Sequence, residues 1–180
     1  MAAITLDIMN IDSVNKRFAK LSNDIKTNIK DEVAASSLKI QADAKKLAPA
    51  NLGTLRGSIY KDEVSKSPNE FMFIVGAAAK YAPYVEFGTG GKVSIPNGYA
   101  DYASQFKGKA GGKFKEMVLA LTEWVLKKGI ASGKQSRSVA YAIALSILRK
   151  GLRPQPFLIP AFEAEKPKLI QRIEKIIKNA

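Results

Sequence analysis

The stretch SIYKDEVSKSPNEFMFIVG, residues 58–76, decides the fold class. Two runs of extended character, Ser58 to Lys66 and Glu70 to Gly76, flank the turn-forming Ser67-Pro68-Asn69, and this spacing predicts a β-hairpin. In the second run Phe71, Phe73 and Val75 fall on one side and Met72 and Ile74 on the other, because successive strand side chains alternate. Both faces are apolar, so the sheet is expected to be covered on both sides, by helices or by a neighbouring copy.

Helical spacing surrounds this hairpin, which makes the fold class α+β: a small antiparallel sheet packed by a long N-terminal helix and by C-terminal helices. Upstream, Ile11, Val14, Phe18, Leu21, Ile25, Ile29, Val33, Ile40, Ala44 and Leu47 recur at intervals of three and four. Asp12 or Ser13 can cap this helix, and Pro49 ends it by forcing Ala48 out of the helical region. At about 1.5 Å per residue it reaches roughly 50 Å, longer than a small core needs, so part of its stripe is expected to face another subunit. Downstream, Phe114, Met117, Val118, Leu121, Trp124 and Val125 predict a second helix. Val139, Ala140, Ile143, Ala144, Ile147 and Leu148 predict a third, stopped by Gly151. Leu169, Ile170, Ile173, Ile176 and Ile177 predict the last, kinked or restarted at Pro167.

The length of 180 residues suits a single domain spanning 1–180. Residues of about 88–112, rich in Gly, Ser and Tyr and poor in periodicity, read as an inserted arm. No run of about 18 apolar residues occurs, so no membrane span and no membrane partner are expected. The first residues lack a basic region and include Asp7, which argues against a signal peptide and for a protein made in a cytoplasm.

Cysteine and histidine are both absent. That removes thiol nucleophiles, disulfides, thiolate or imidazole metal sites and the usual base near neutral pH, so neither an enzyme nor a cofactor is expected. Asp62 and Glu63 cannot share a proton, since neighbours in a strand point to opposite faces. Asp31 and Glu32 lie in the long helix. The glycines of Gly108-Lys-Ala-Gly-Gly112-Lys113 have the wrong spacing for a phosphate loop, and Phe114 stands where a Ser or Thr would be needed.

The charge is uneven. The whole chain carries +13, of which residues 92–153 hold +9, with 12 basic and 3 acidic side chains. Such a block attracts a phosphate backbone or an acidic protein, and equally serves as a solvated face. Lys107, Lys109, Lys113 and Lys115, beside Phe106 and Phe114, are the candidate contacts to DNA or to an acidic partner.

Two further segments carry more specific information. Tyr81-Ala-Pro-Tyr-Val-Glu-Phe-Gly-Thr89 follows the hairpin, and Arg153-Pro-Gln-Pro-Phe-Leu-Ile-Pro-Ala-Phe-Glu163 opens the last helix. Pro83 has the φ needed to start a short helical turn, which would show Tyr84 and Glu86 on the surface, and Gly88 lets the chain leave sharply. Glu86 then calls for a cation, and Arg56 is the expected partner, within the subunit or across to the next. Pro154 and Pro156 keep the chain extended and deliver Phe157 before Pro160 begins the helix. Phe157 and Phe162 are apolar anchors, for the core or for an interface.

With Ala48-Pro49, Gly53-Thr-Leu-Arg56 and Ser58-Ile59, these blocks resemble, in the same order, the tail-component family typified by gene product ten of a lambdoid siphophage. The resemblance implies a structural virion protein of the neck, made in the host cytoplasm. It would be a homo-oligomer, a ring of six by family expectation, between the head-closure or connector protein and the tail terminator or tail tube, with genomic DNA passing through the channel. Arg56, Tyr81, Tyr84, Glu86, Gly88, Thr89, Pro154, Pro156, Phe157 and Pro160 are then the candidate assembly residues. The arm and the basic helix after it depart from a minimal member of that family. A free, basic nucleic-acid-binding protein is the alternative.

Overall fold

The computed structural model describes residues 4–6, 23–50, 53–65, 70–106 and 114–179. They fall into two compact units. The first comprises Ile4–Ala48, Arg56–Ala77 and Phe157–Ala180 and contains the sheet; the second comprises Pro49–Leu55 and Ala78–Pro156 and contains a helical hairpin.

The sheet has three antiparallel strands in the order β1-β3-β2: β1 is Ile4–Leu6, β2 is Ile59–Glu63 and β3 is Phe73–Ala77. The predicted hairpin is β2 and β3, with Ile59 opposite Ala77, Lys61 opposite Val75 and Glu63 opposite Phe73. Its turn, 66–69, lies outside the described residues. β1 was not predicted; it pairs with the other edge of β3, Ile4 opposite Ala77 and Leu6 opposite Val75.

Helix α1, Asn23–Leu47, ends where Pro49 requires, and its predicted start at Asp12 or Ser13 lies outside the described residues. It covers the face of the sheet that carries Ile59, Val75 and Ala77, all buried. Two polar contacts bridge the helix and the sheet: Lys30 Nζ lies 2.8 Å from Glu63 Oε1, both exposed, and Gln41 Nε2 donates to the Ile59 carbonyl at 3.0 Å. The other face carries Tyr60 and Ile74, each half-buried. Burial, and secondarily the Asp62 carboxylate, pushes the Tyr60 phenol above its ordinary value.

The last helix, α7, is Leu158–Lys178 and is continuous through Pro167. It packs along α1, joining Ile29, Ile40 and Ala44 to Leu158, Ala161 and Leu169. Each large aliphatic buried this way contributes about 1.5–3 kcal/mol. The seam is not purely apolar. Ser36 takes a core position between Ile29 and Ile40, Glu165 takes one between Ala161 and Leu169, and both are buried. Ser36 Oγ donates to Glu165 Oε1 at 3.2 Å, while Arg172 reaches Glu165 Oε1 at 2.5 Å and Glu32 Oε2 at 2.7 Å. Hydrogen bonds to Glu165 first and Glu32 second raise the arginine further above its ordinary value.

In the second unit, α5 (Phe114–Lys127) and α6 (Gly133–Lys150) form a helical hairpin. Val118 and Val125 of α5 meet Ala140 and Ala144 of α6 in an apolar seam, with Met117, Leu121, Trp124, Val139 and Ile143 around it, and the buried Ser136 on the same side of α6 donates Oγ to the Gly133 carbonyl at 2.7 Å. The predicted stop at Gly151 holds: it adopts φ 73° and donates its N–H to the Ile147 carbonyl at 2.9 Å. The stretch read as an arm contains a 3-10 turn, Gly90–Lys92, and a short helix α4, Ala100–Ser104. Residues 107–113 lie outside the described residues. Two other short helices, α2 at Thr54–Gly57 and α3 at Ala82–Phe87, fall in the segments singled out by resemblance. Among the described residues no helix is long and apolar enough to cross a membrane.

Candidate assembly interface

Tyr81 to Thr89 folds as the sequence predicts up to one point. Pro83 lies in the first turn of α3, and Gly88 ends it with φ 77°, its N–H donating to the Tyr84 carbonyl at 3.0 Å. The correction concerns Glu86. Expected at the surface, it is 1% exposed, because Ala82 and Glu86 share one side of this single turn, Pro83 and Phe87 the adjoining side, and all four face inward. Tyr84 is half-buried and Tyr81 is exposed, with partial burial of its phenol pushing that group up.

A second segment is bound to the first through the main chain. Thr89 donates its N–H to the Leu152 carbonyl at 3.0 Å, and Leu152 returns its own N–H to Thr89 Oγ1 at 2.8 Å. Gln155 donates to the Val85 carbonyl at 2.7 Å, between Pro154 and Pro156, which have no N–H to offer. Lys92 Nζ reaches the Gly151 carbonyl at 3.4 Å. The two strands of chain approach so closely that a Cβ on Gly88 would lie 2.8 Å from the Leu152 carbonyl oxygen and 2.9 Å from Pro154 Cδ. A Cβ on Gly151 would run into the Thr89 carbonyl. The two motif blocks thus form one clasp, and glycine is required on each side of it.

The remaining candidate residues are placed as follows. Arg56 spans the bend after α1 and donates Nε to the Ala48 carbonyl at 2.8 Å. Phe157, immediately before α7, is fully buried, and Pro160 sits half-buried in the first turn of that helix rather than at its first residue. Phe162 is half-buried, with Lys166 Nζ 5.7 Å above its ring. Lys115 is exposed at the start of α5, whereas Lys107, Lys109 and Lys113 lie outside the described residues. Among the described residues no group of three or more acidic side chains is placed to hold a metal ion. The cluster of the buried Ser36 and Glu165 with the half-buried Arg172 was missed by sequence reasoning, although a polar residue inside each apolar stripe was a visible signal.

Residues 12–88 match the family model described as "Bacteriophage HK97-gp10, putative tail-component". The match takes in α1, the sheet hairpin, Arg56 and the α3 motif, and stops at the glycine where the clasp begins; Arg153 to Glu163 lies beyond it. No curated protein and no solved structure matches the chain. Over residues 12–88 the chain is similar to a phage tail-component family, which supports a structural, tail-related role and a place in the virion.

Proposed function

We propose that this chain is a structural, non-enzymatic protein of the phage neck, one domain acting as the subunit of a ring that joins the head connector to the tail. The clasp is the observation that carries the reading. It fixes the α3 turn against the segment leading to the last helix by backbone hydrogen bonds and glycine packing, and so builds a defined surface from Tyr81, Tyr84, Thr89 and Pro156. Repetition of one modest contact around a ring gives a tight assembly without any single strong site. A hexamer seated between the head-closure protein and the tail terminator or tube is the form expected.

The pairing of Arg56 with Glu86 belongs to this reading. Arg56 Nε donates to the Ala48 carbonyl, and a guanidinium can also hold a carboxylate through its terminal nitrogens. Exchanging the two charges is expected to restore assembly that each single change weakens, and a double variant no better than the singles would reject the pair. For the function as a whole, negative-stain images of the purified protein and particles lacking it provide the test. Rings in the first and unattached tails in the second are expected; normally joined, infectious particles would overturn the proposal.

The second reading, nucleic-acid binding, draws on the basic residues Lys134, Arg137, Arg149 and Lys150 of α6, a helix that contains no acidic residue. Counterion release makes its signature an affinity that falls steeply with salt. No binding to duplex DNA at low salt would remove it.

A further inference from the structure

The α5–α6 hairpin lies beyond residue 88, so the family match says nothing about it. Its inner seam is closed by Val118, Val125, Ala140 and Ala144. Its outer faces are not those of an ordinary solvated hairpin. On the side of α5 opposite the seam stand Glu116, Leu119, Glu123 and Leu126, with the leucines 51% and 49% exposed. The exposed side of α6 carries Tyr141 and Leu148, 49% and 64% exposed, among Lys134, Arg137 and Arg149. Phe114 props the Tyr141 ring edge-on at a centroid distance of 5.3 Å, which holds it in place.

The two faces complement one another. In each, the apolar pair is separated by seven residues, about 10.5 Å along a helix, so two knobs on one face match two on the other. In each, charge flanks the apolar pair: Glu116 and Glu123 along α5, with Lys115 and Lys127 at its two ends, and wholly basic side chains along α6. A surface built for a phosphate backbone has no use for Leu148 at its most exposed point. A solubilising surface has no use for four large apolar groups in register.

We propose that the α5 face of one copy docks antiparallel on the α6 face of the next, with Leu119 packing on Leu148, Leu126 packing on Tyr141, and the two glutamates meeting the cations of α6. A head-to-tail contact of this kind, each copy using its α5 face toward one neighbour and its α6 face toward the other, propagates around a ring instead of stopping at a dimer. The inference rests on the ring reading and assigns it an interface.

The cysteine-free chain allows a direct test. Leu119→Cys and Leu148→Cys replace exposed side chains, and circular dichroism checks that each variant is folded. Under mild oxidation neither variant alone is expected to cross-link, an equimolar mixture is expected to give a covalent dimer, and the double variant a ladder of multimers. Cross-linking of either single variant to itself would mean like faces meet and would overturn the head-to-tail contact. Rings of the double variant that yield no ladder would overturn the interface while leaving the ring intact; a protein monomeric at every concentration would sink both. Glu116→Lys with Glu123→Lys is expected to abolish rings, and mixing it with Arg137→Glu/Arg149→Glu protein to restore contacts between the two. Should Arg149→Glu instead lower affinity for duplex DNA at low salt and leave rings unchanged, the α6 face belongs to nucleic acid and the proposal fails.

Discussion

The two principal helix pairs of this protein are held by opposite means. Where α1 meets α7, a buried glutamate, a buried serine and an arginine sit within the apolar seam, and only one register lets Ser36, Glu165, Arg172 and Glu32 meet. Where α5 meets α6, the seam holds no buried charge among the described residues and relies on the small Ala140 and Ala144 accepting Val118 and Val125, while the buried Ser136 bonds within its own helix. The polar seam gains alignment at the cost of desolvating charge; the uncharged seam gains stability from volume and leaves alignment to the short connection between its helices. Removal of one partner should therefore be severe in the first pair and graded in the second.

The largest effect is expected from Arg172→Ala, which leaves the Glu165 carboxylate buried without its cation. A loss of about 3 kcal/mol is expected in denaturant unfolding, at the low end for a broken buried pair because the arginine is itself partly exposed. A loss below about 1 kcal/mol would mean that the cluster is water-filled and the contrast false. Next comes Val125→Ala, a cavity in the uncharged seam, at about 2 kcal/mol in the unfolding of the hairpin unit. Replacing Glu165 and Arg172 together by Leu should return stability to within about 1 kcal/mol of the parent, since the desolvation cost leaves with the charges. If the double change costs as much as Arg172→Ala alone, packing rather than charge sets the seam.

The smallest effect belongs to the exposed pair Lys30 and Glu63. The lysine's hydrogen bond holds the Glu63 carboxyl below its ordinary 4.5. A depressed carboxylate contributes above its unfolded value and loses that contribution as pH falls through the depressed one. Lys30→Ala should therefore leave the unfolding midpoint unchanged within scatter at pH 7, and any difference should vanish below the carboxylate range.

Much of this architecture was legible from local pattern. Pro49 and Gly151 marked helix ends because their effects are confined to neighbouring residues. β1 was not legible: Ile4 to Leu6 is too short for alternation to show, and its pairing with β3 crosses some seventy residues. Glu86 was misplaced because one helical turn has no periodicity from which an inner side can be told. The clasp was half legible. Its glycines and prolines stood out as motifs, but no local signal joins Thr89 to Leu152.

Those two residues lie 63 positions apart and are joined by a reciprocal pair of hydrogen bonds. Everything between them therefore departs from and returns to nearly the same point. Such a doorway lets evolution change what lies beyond it at little entropic penalty, since closing a loop grows costly only slowly with its length. The α5–α6 hairpin is in this sense a detachable accessory, exchangeable for a shorter bridge between the same two residues.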